Sequence, residues 1–338
     1  MSLDWPALLN RLVADSSLSI SEATEALGEI LAGDVSDTVI ASFLTALTAK
    51  GESVDEMVGF VDAMMAACDA VAVPEGTIDV VGTGGDRLHS VNISTMAALT
   101  VAGCGVPVAK HGNRAASSSV GTADVLEGLG VRIDADAATV ANCVREAGVG
   151  FCFAQRFHPG LRHLGPIRRE LGLPTVFNLL GPLANPARVR RALVGVANDA
   201  RIDDMAEVLR RRGVDHVILV HAHDGLDELS LGSDNEVVEV IGASRTRRTF
   251  DASGVFGARY PVSELVGGDL VTNVGAVRSY LNGDLGAVRD TVLANAAMAL
   301  VAAGRVERFD RGVSLAITSV DEGHAATALE RLVAVSNA

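Results

Sequence analysis

Residues Ile78 to Thr95 read IDVVGTGGDRLHSVNIST. The β-branched run Ile78 to Val81 predicts a strand, Gly82-Thr83-Gly84-Gly85-Asp86 a tight turn, and Asn92-Ile93-Ser94-Thr95 the opening of a helix. The same texture recurs at Val106–Ala109, Val131–Ile133, Gly150–Phe153, Leu193–Ala197 and His216–His221, each run followed by a helical pattern. Strands alternating with helices imply an α/β fold whose central sheet is mostly parallel, with helices on its faces. Ligands of such sheets sit beyond the carboxyl ends of the strands.

Upstream of this region only helical patterns occur. Ser19 with Glu22 and Ser53 with Glu56 fit capping boxes, and Gly51 after Lys50 fits a helix C-cap, so that Lys50 reads as a cation complementing a helix dipole. The 338 residues exceed the size at which a single core stops growing, about 250 to 300 residues. The expected organisation is a small all-helical N-terminal domain at 1–72, completed by the segment around 164–185 that interrupts the alternation, and a large α/β domain at 73–338. The formal net charge of −14 argues against nucleic-acid or anionic-membrane partners. The four cysteines lack paired spacing and read as buried thiols, no stretch reads as a membrane span, and the start lacks a signal pattern, so a cytoplasmic protein is expected.

Four stretches carry candidate chemistry. In the first, the glycines of 82–85 let backbone N–H groups approach a ligand, and a helix N-terminus with Ser94 and Thr95 hydroxyls suits phosphate. Neither GK[ST] nor GxGxxG is present, and the same residues serve equally well as a turn and helix caps. The second is Lys110-His111-Gly112-Asn113-Arg114 with Ala115, Ala116, Ser117, Ser118, Ser119 and Thr122 behind it. Of 28 basic residues only Lys50 and Lys110 are lysine, which singles out Lys110 as a compact ammonium for phosphate. The third is the acidic turn ending in Asp227-Glu228, suited to holding Mg²⁺ through oxygen, with His221 and His223 read as structural. The fourth runs from Phe157-His158 through Arg168-Arg169 to Phe177–Pro182; it fits either a grip on a small aromatic carboxylate or a solvated arginine pair. The basic runs 210–212 and 245–248 read as solvent-facing.

GTGGD with NIST, KHGNR with its serine continuation, RRELG…FNLLGPLANP and DGLDE occur in this order along nearly the whole chain. In these motifs the sequence resembles the anthranilate phosphoribosyltransferase family, which joins anthranilate to phosphoribosyl pyrophosphate in tryptophan biosynthesis. The resemblance implies a helical domain joined to a large α/β domain, two Mg²⁺ ions per active site, and a homodimer formed through the helical domain. It further implies that Gly82, Gly85, Asp86, Ser90, Asn92, Ile93, Ser94 and Thr95 cradle the pyrophosphate and phosphate. Ser94 would also touch one magnesium, and Asp227 and Glu228 would hold the second. The segment Lys110, His111, Gly112, Asn113, Arg114 and 115–118 resembles a loop closing over substrate, with Thr122 beyond it, and Asn113 would reach anthranilate. Arg168 would meet the anthranilate carboxylate, His111 and His158 would line the acceptor's route, and Pro182 would be a further substrate-binding residue. Lys110, Arg168 and His111 are the expected catalytic set. Two alternatives share the architecture: a pyrimidine nucleoside phosphorylase-like enzyme, and a non-catalytic nucleic-acid-binding relative.

Overall fold

Four helices open the chain: α1 (Trp5–Val13), α2 (Ile20–Ala32), α3 (Asp37–Lys50) and α4 (Val54–Ala67). The computed structural model describes residues 3–114 and 120–338, so the expectations for Ala115, Ala116, Ser117, Ser118 and Ser119 lie outside the described residues. Both capping boxes form, with Ser19 and Glu22 opening α2 and Ser53 and Glu56 opening α4. The apolar faces of these helices, including Leu27, Ile40, Phe43, Leu47, Met57 and Phe60, make one core that continues into Leu164, Ile167, Phe177 and Leu180.

Lys50 does more than cap a helix. Its Nζ lies 2.9 Å from Glu56 Oε2 and 2.7 Å from the Gly51 carbonyl, with both charged side chains almost wholly buried. Glu56 also accepts from the backbone N–H groups of Leu18 and Ser53, so the pair ties together the chain entries to α2 and α4. Lys50→Met would leave that carboxylate buried without its counter-ion, and we expect a loss of about 3 kcal/mol or more in urea unfolding. Lys50→Met with Glu56→Gln should recover part of it.

After these helices come β1 (Ile78–Gly82), α5 (Ile93–Gly103), β2 (Val108–Gly112), α6 (Thr122–Gly128), α7 (Ala137–Ala147), β3 (Val149–Phe153), α8 (Ala154–Phe157), α9 (Leu164–Leu171), α10 (Phe177–Leu180), β4 (Arg191–Gly195), α11 (Asp199–Arg211) and β5 (His216–Ala222). A hairpin of β6 (Asn235–Ile241) and β7 (Ser244–Phe250) follows, then α12 (Ser253–Phe256), α13 (Leu270–Leu281), α14 (Ala287–Ala302), α15 (Phe309–Asp321) and α16 (His324–Ser336). The sheet order is β3-β2-β1-β4-β5-β6-β7, parallel from β3 to β5 and antiparallel beyond. Helices α5 and α14 are buried nearly all round, as central helices of a large core must be. The order reverses at β1, whose two neighbours β2 and β4 leave in opposite directions, and this opens a crevice beyond its carboxyl end.

Three sequence expectations differ from the structure. Lys110, His111 and Gly112, expected in a loop beyond a strand at Val106–Ala109, belong to β2 itself, because the ladder with β3 runs on to Gly112. Val131–Ile133 is not a strand: Val131 and Ile133 are buried, but the Arg132 N–H donates to Ser336 Oγ on α16, so helices rather than a sheet edge cover this run. The hairpin β6–β7 was not expected as strands. In β7 the sequence SRTRRTF lacks apolar alternation because its side chains are exposed, and Arg247 is held by Asp199, Asp203 and Glu236. Arg211 and Arg212 reach Asp55 and Asp62 on α4 and so fasten α11 to the helical bundle. Among the described residues no helix is long and apolar enough to cross a membrane.

Candidate active site

The crevice beyond β1 has a volume of about 240 Å³. It brings together Gly82, Gly85, Asp86, Ser90, Asn92, Ile93 and Ser94 from the first motif, Lys110, His111, Gly112, Asn113, Arg114 and Thr122 from the second, and Asp227 and Glu228 from the third. Residues 143 positions apart are joined directly, since Gly84 N–H donates to Asp227 Oδ2 over 2.6 Å. A side chain at position 82 would put its Cβ 2.6 Å from the same oxygen, which explains the glycine there. Gly84 and Gly85 take left-handed backbone conformations, φ 65° and 86°, as do the non-glycine residues Arg87 and His89. This kinked loop is fastened from outside: Val91 N–H donates to Leu265 O and Gly267 N–H to His89 O, and Ser90 bridges Val266. Asn92 accepts from Asn273 and donates to the Val120 carbonyl.

Lys110 lies beneath the loop. It is 3% exposed, and its Nζ donates to the Val80 carbonyl at 2.6 Å and to Ser94 Oγ at 3.1 Å, leaving one of three protons for a ligand. Burial pulls its pKa down, while Asp79, Glu228 and Asp227 act in the opposite direction. Asp227 and Glu228 are raised by burial first; Asp86 adds to the rise of Asp227, and Asp227 to that of Glu228. Asp86 Oδ2 is buried with no hydrogen-bond partner among the described residues. Mutually repelling carboxylates and an unpartnered carboxylate oxygen fit a hard divalent cation. The described residues contain no closed cluster of three His, Cys, Asp or Glu.

Of the expected residues, Thr95, His158, Pro182 and Arg168 lie outside the crevice wall, while Arg114 and His111 are on it. Thr95 is fully buried under it, with Oγ1 unpartnered among the described residues. Arg114 is drawn away to Asp124 and Glu127. His111 Nδ1 faces the Gly181 carbonyl at 3.0 Å and His158 Nε2 the Ala184 carbonyl at 2.9 Å, which makes both nitrogens donors; the two rings lie 5.4 Å apart. Pro182 is buried in the same turn. Of the two adjacent arginines, Arg169 is exposed while Arg168 is half-buried, lies over the Phe177 ring at 5.3 Å and donates to Asn178 Oδ1 at 3.3 Å. No carboxylate among the described residues pairs with Arg168, and Asn178 connects it to the crevice. His221 and His223 bond to Val196 O and Glu236 and do not line the crevice.

Burial first, then the neighbouring His158 and Lys110, holds the His111 imidazole down at about 3, against the opposing hydrogen bond to the Gly181 carbonyl. An unfolded histidine protonates near 6.5, so between those values the unfolded chain binds a proton that the folded one refuses. Stability should therefore fall as pH drops through that window and be unaffected by this group above it. Urea unfolding between about pH 4 and about pH 8 checks this; His111→Gln should flatten the acid limb.

The sequence reading missed Asp79, which faces Lys110 from within β1, and Thr83, Arg87, His89 and Asn178 on the crevice wall. An acid inside a β-branched strand was the available signal for Asp79. It also missed Gly195 on β4, where any Cβ would overlap the Asp227 carbonyl oxygen.

Comparison with known proteins agrees with this geometry. Residues 6–68 match the family described as "Glycosyl transferase family, helical bundle domain", and residues 75–326 match "Glycosyl transferase family, a/b domain". The chain is 50% identical over 337 residues to anthranilate phosphoribosyltransferase of Thermomicrobium roseum, covering 98% of this chain and 97% of that protein. The Thermus thermophilus anthranilate phosphoribosyltransferase structure superposes with a TM-score of 0.91 at 40% identity, covering 98% of this chain and 99% of that one. The Saccharomyces cerevisiae enzyme in complex with PRPP and Mg gives a TM-score of 0.90 at 27% identity, with 98% of each chain covered. With its motifs gathered at the switch point of the same fold, the chain belongs to the anthranilate phosphoribosyltransferase family.

Proposed function

We propose that the chain transfers the 5-phosphoribosyl group of phosphoribosyl pyrophosphate to the amine of anthranilate, as a step of tryptophan biosynthesis. The observation that carries this reading is the convergence of the glycine loop, Lys110, Ser94 and the Asp227–Glu228 pair at one crevice, in a chain of this family. Departure of pyrophosphate builds positive charge on the ribose and negative charge on the leaving oxygen. Mg²⁺, when bound by Asp227, Glu228 and Ser94 in two sites, supplies charge neutralisation for the leaving group. The loop 82–86 and the start of α5 offer backbone N–H groups to phosphate oxygens. Lys110 contributes its remaining proton and, through Ser94 Oγ, fixes a hydroxyl at the start of α5.

Arg168 has the planar fork that a carboxylate needs, with Phe177 and Asn178 holding its orientation. His158, Pro182 and His111 close the acceptor's side. Nε2 of His111 is left without a partner among the described residues and can accept a proton of the amine in a hydrogen bond. Anthranilate's amine is neutral and already nucleophilic, so positioning and exclusion of water do most of the work. We read residues 1–72 with about 164–185 as a helical domain through which two copies pair, and the protein as cytoplasmic.

Mixing the protein with anthranilate, phosphoribosyl pyrophosphate and Mg²⁺ should extinguish anthranilate fluorescence, and omission of any component should prevent it. Fluorescence that persists in the complete mixture, with thymidine consumed instead in the presence of phosphate, would reverse the reading.

A further inference from the structure

The sheet is split at its ligand-binding point. β1 pairs with β4 over five residues and β2 with β3 over five, but β1 pairs with β2 only at Ile78 and Val108. In a parallel ladder continuing from that pair, the His111 N–H would bond to the Val80 carbonyl, and the Ala109 carbonyl would accept from Val80. Side chains have taken these places. Asp79 Oδ1 accepts from the His111 N–H at 3.1 Å, Lys110 Nζ donates to Val80 O at 2.6 Å, and Asn185 Nδ2 donates to Ala109 O at 2.8 Å. Asn185 Nδ2 also donates to Asp79 Oδ2 at 2.7 Å, and its Oδ1 accepts from Ala187 N–H at 2.8 Å, which completes the network. Asp79 and Asn185 are both buried.

Backbone groups left unpaired in a core are costly, so strands do not part there without replacements. We propose that Asp79 and Asn185 are positioning residues: together they wedge β1 and β2 apart at the crevice and aim Lys110 and His111 into it. The Asp79 carboxylate anchors the backbone of the segment carrying both residues and is a counter-charge to Lys110. Asn185 ties the same point to the turn Gly181–Ala187, whose carbonyls hold His111 and His158. The effect on substrate rests on the transferase reading above, whereas the wedge itself does not.

The test has an arm for each. In hydrogen exchange read by mass spectrometry on the full chain, Asp79→Asn and, separately, Asn185→Ala should speed exchange of the peptide spanning 106–112 by about tenfold or more, with the β4–β5 peptides unchanged. In steady-state kinetics, Asp79→Asn should raise the KM for phosphoribosyl pyrophosphate by about tenfold or more and change kcat by less than about threefold. Because Asp79 acts through Lys110, the same change in a Lys110→Met background should cost less than about twofold.

Unchanged exchange at 106–112 in both variants overturns the wedge. Full additivity with Lys110→Met, or a loss of kcat and folded protein with KM unaltered, overturns the positioning role and leaves Asp79 a packing residue. If Asp79→Asn does not fold, Asn185→Ala carries both arms. A wild-type chain that turns over no anthranilate sinks the transferase reading, while the exchange arm still decides the wedge.

Discussion

Replacing Asp227 by Asn together with Glu228 by Gln is expected to raise the magnesium concentration needed for half-maximal turnover by about two orders of magnitude or more. The same change should make the metal-free protein more stable, by about 1 to 2 kcal/mol. Both effects have one origin. The two carboxylates are buried beside Asp86, and burial together with mutual repulsion raises their pKa values. The fold therefore bears an electrostatic cost that a bound cation relieves, and neutral amides of the same shape remove the cost along with the attraction for metal. The hydrogen bond from Gly84 N–H to residue 227 can persist to an amide oxygen, so the loop need not collapse. Magnesium titration of activity and thermal unfolding in a chelator read the two signs separately. An unaltered titration would remove these residues from the metal site.

Gly195→Ala is expected to destabilise the protein by about 3 kcal/mol or more, at the upper end of overpacking effects. It should also lower turnover by about a hundredfold or more, the scale of an ångström-sized misplacement. The added methyl would overlap the Asp227 backbone carbonyl, and no rotamer change can move a carbonyl away. The turn bearing both acidic residues has to shift or β4 has to bend. Gly28→Ala in α2 is the control, because nothing lies near its Cβ and the helix gains propensity; urea unfolding should show about 0.5 to 1 kcal/mol of stabilisation. Equal behaviour of the two variants would mean that β4 and the acidic turn are not in close contact.

Much of the site was legible because its groups lie in short local motifs. A glycine loop after a strand, a lone lysine at a strand end and adjacent acids on a turn are recognisable without a partner, since each has a local reason to exist. What could not be read were groups whose purpose lies across the sheet. Asp79 looks like a misplaced acid until the parting of β1 from β2 supplies its donors. Gly195 looks like a strand-end glycine until Asp227 is brought against it. Lys50, read as a helix-end cation, proves to be half of a buried ion pair because α4 delivers Glu56 to it. Strand β7 escaped notice because an edge strand covered by salt bridges has no apolar period to detect.

By itself, the sequence determined the alternation of elements, the helix caps, the polar motifs and, through them, the family. These depend on residues within a few positions of one another, where backbone propensity and spacing act directly. Only the tertiary structure decided which motifs share a crevice, why Lys110 spends two protons on the protein, which of Arg168 and Arg169 turns inward, and how two strands are kept apart. Those outcomes depend on burial and on partners up to 143 residues away, which the chain acquires only when the sheet reverses its order at β1.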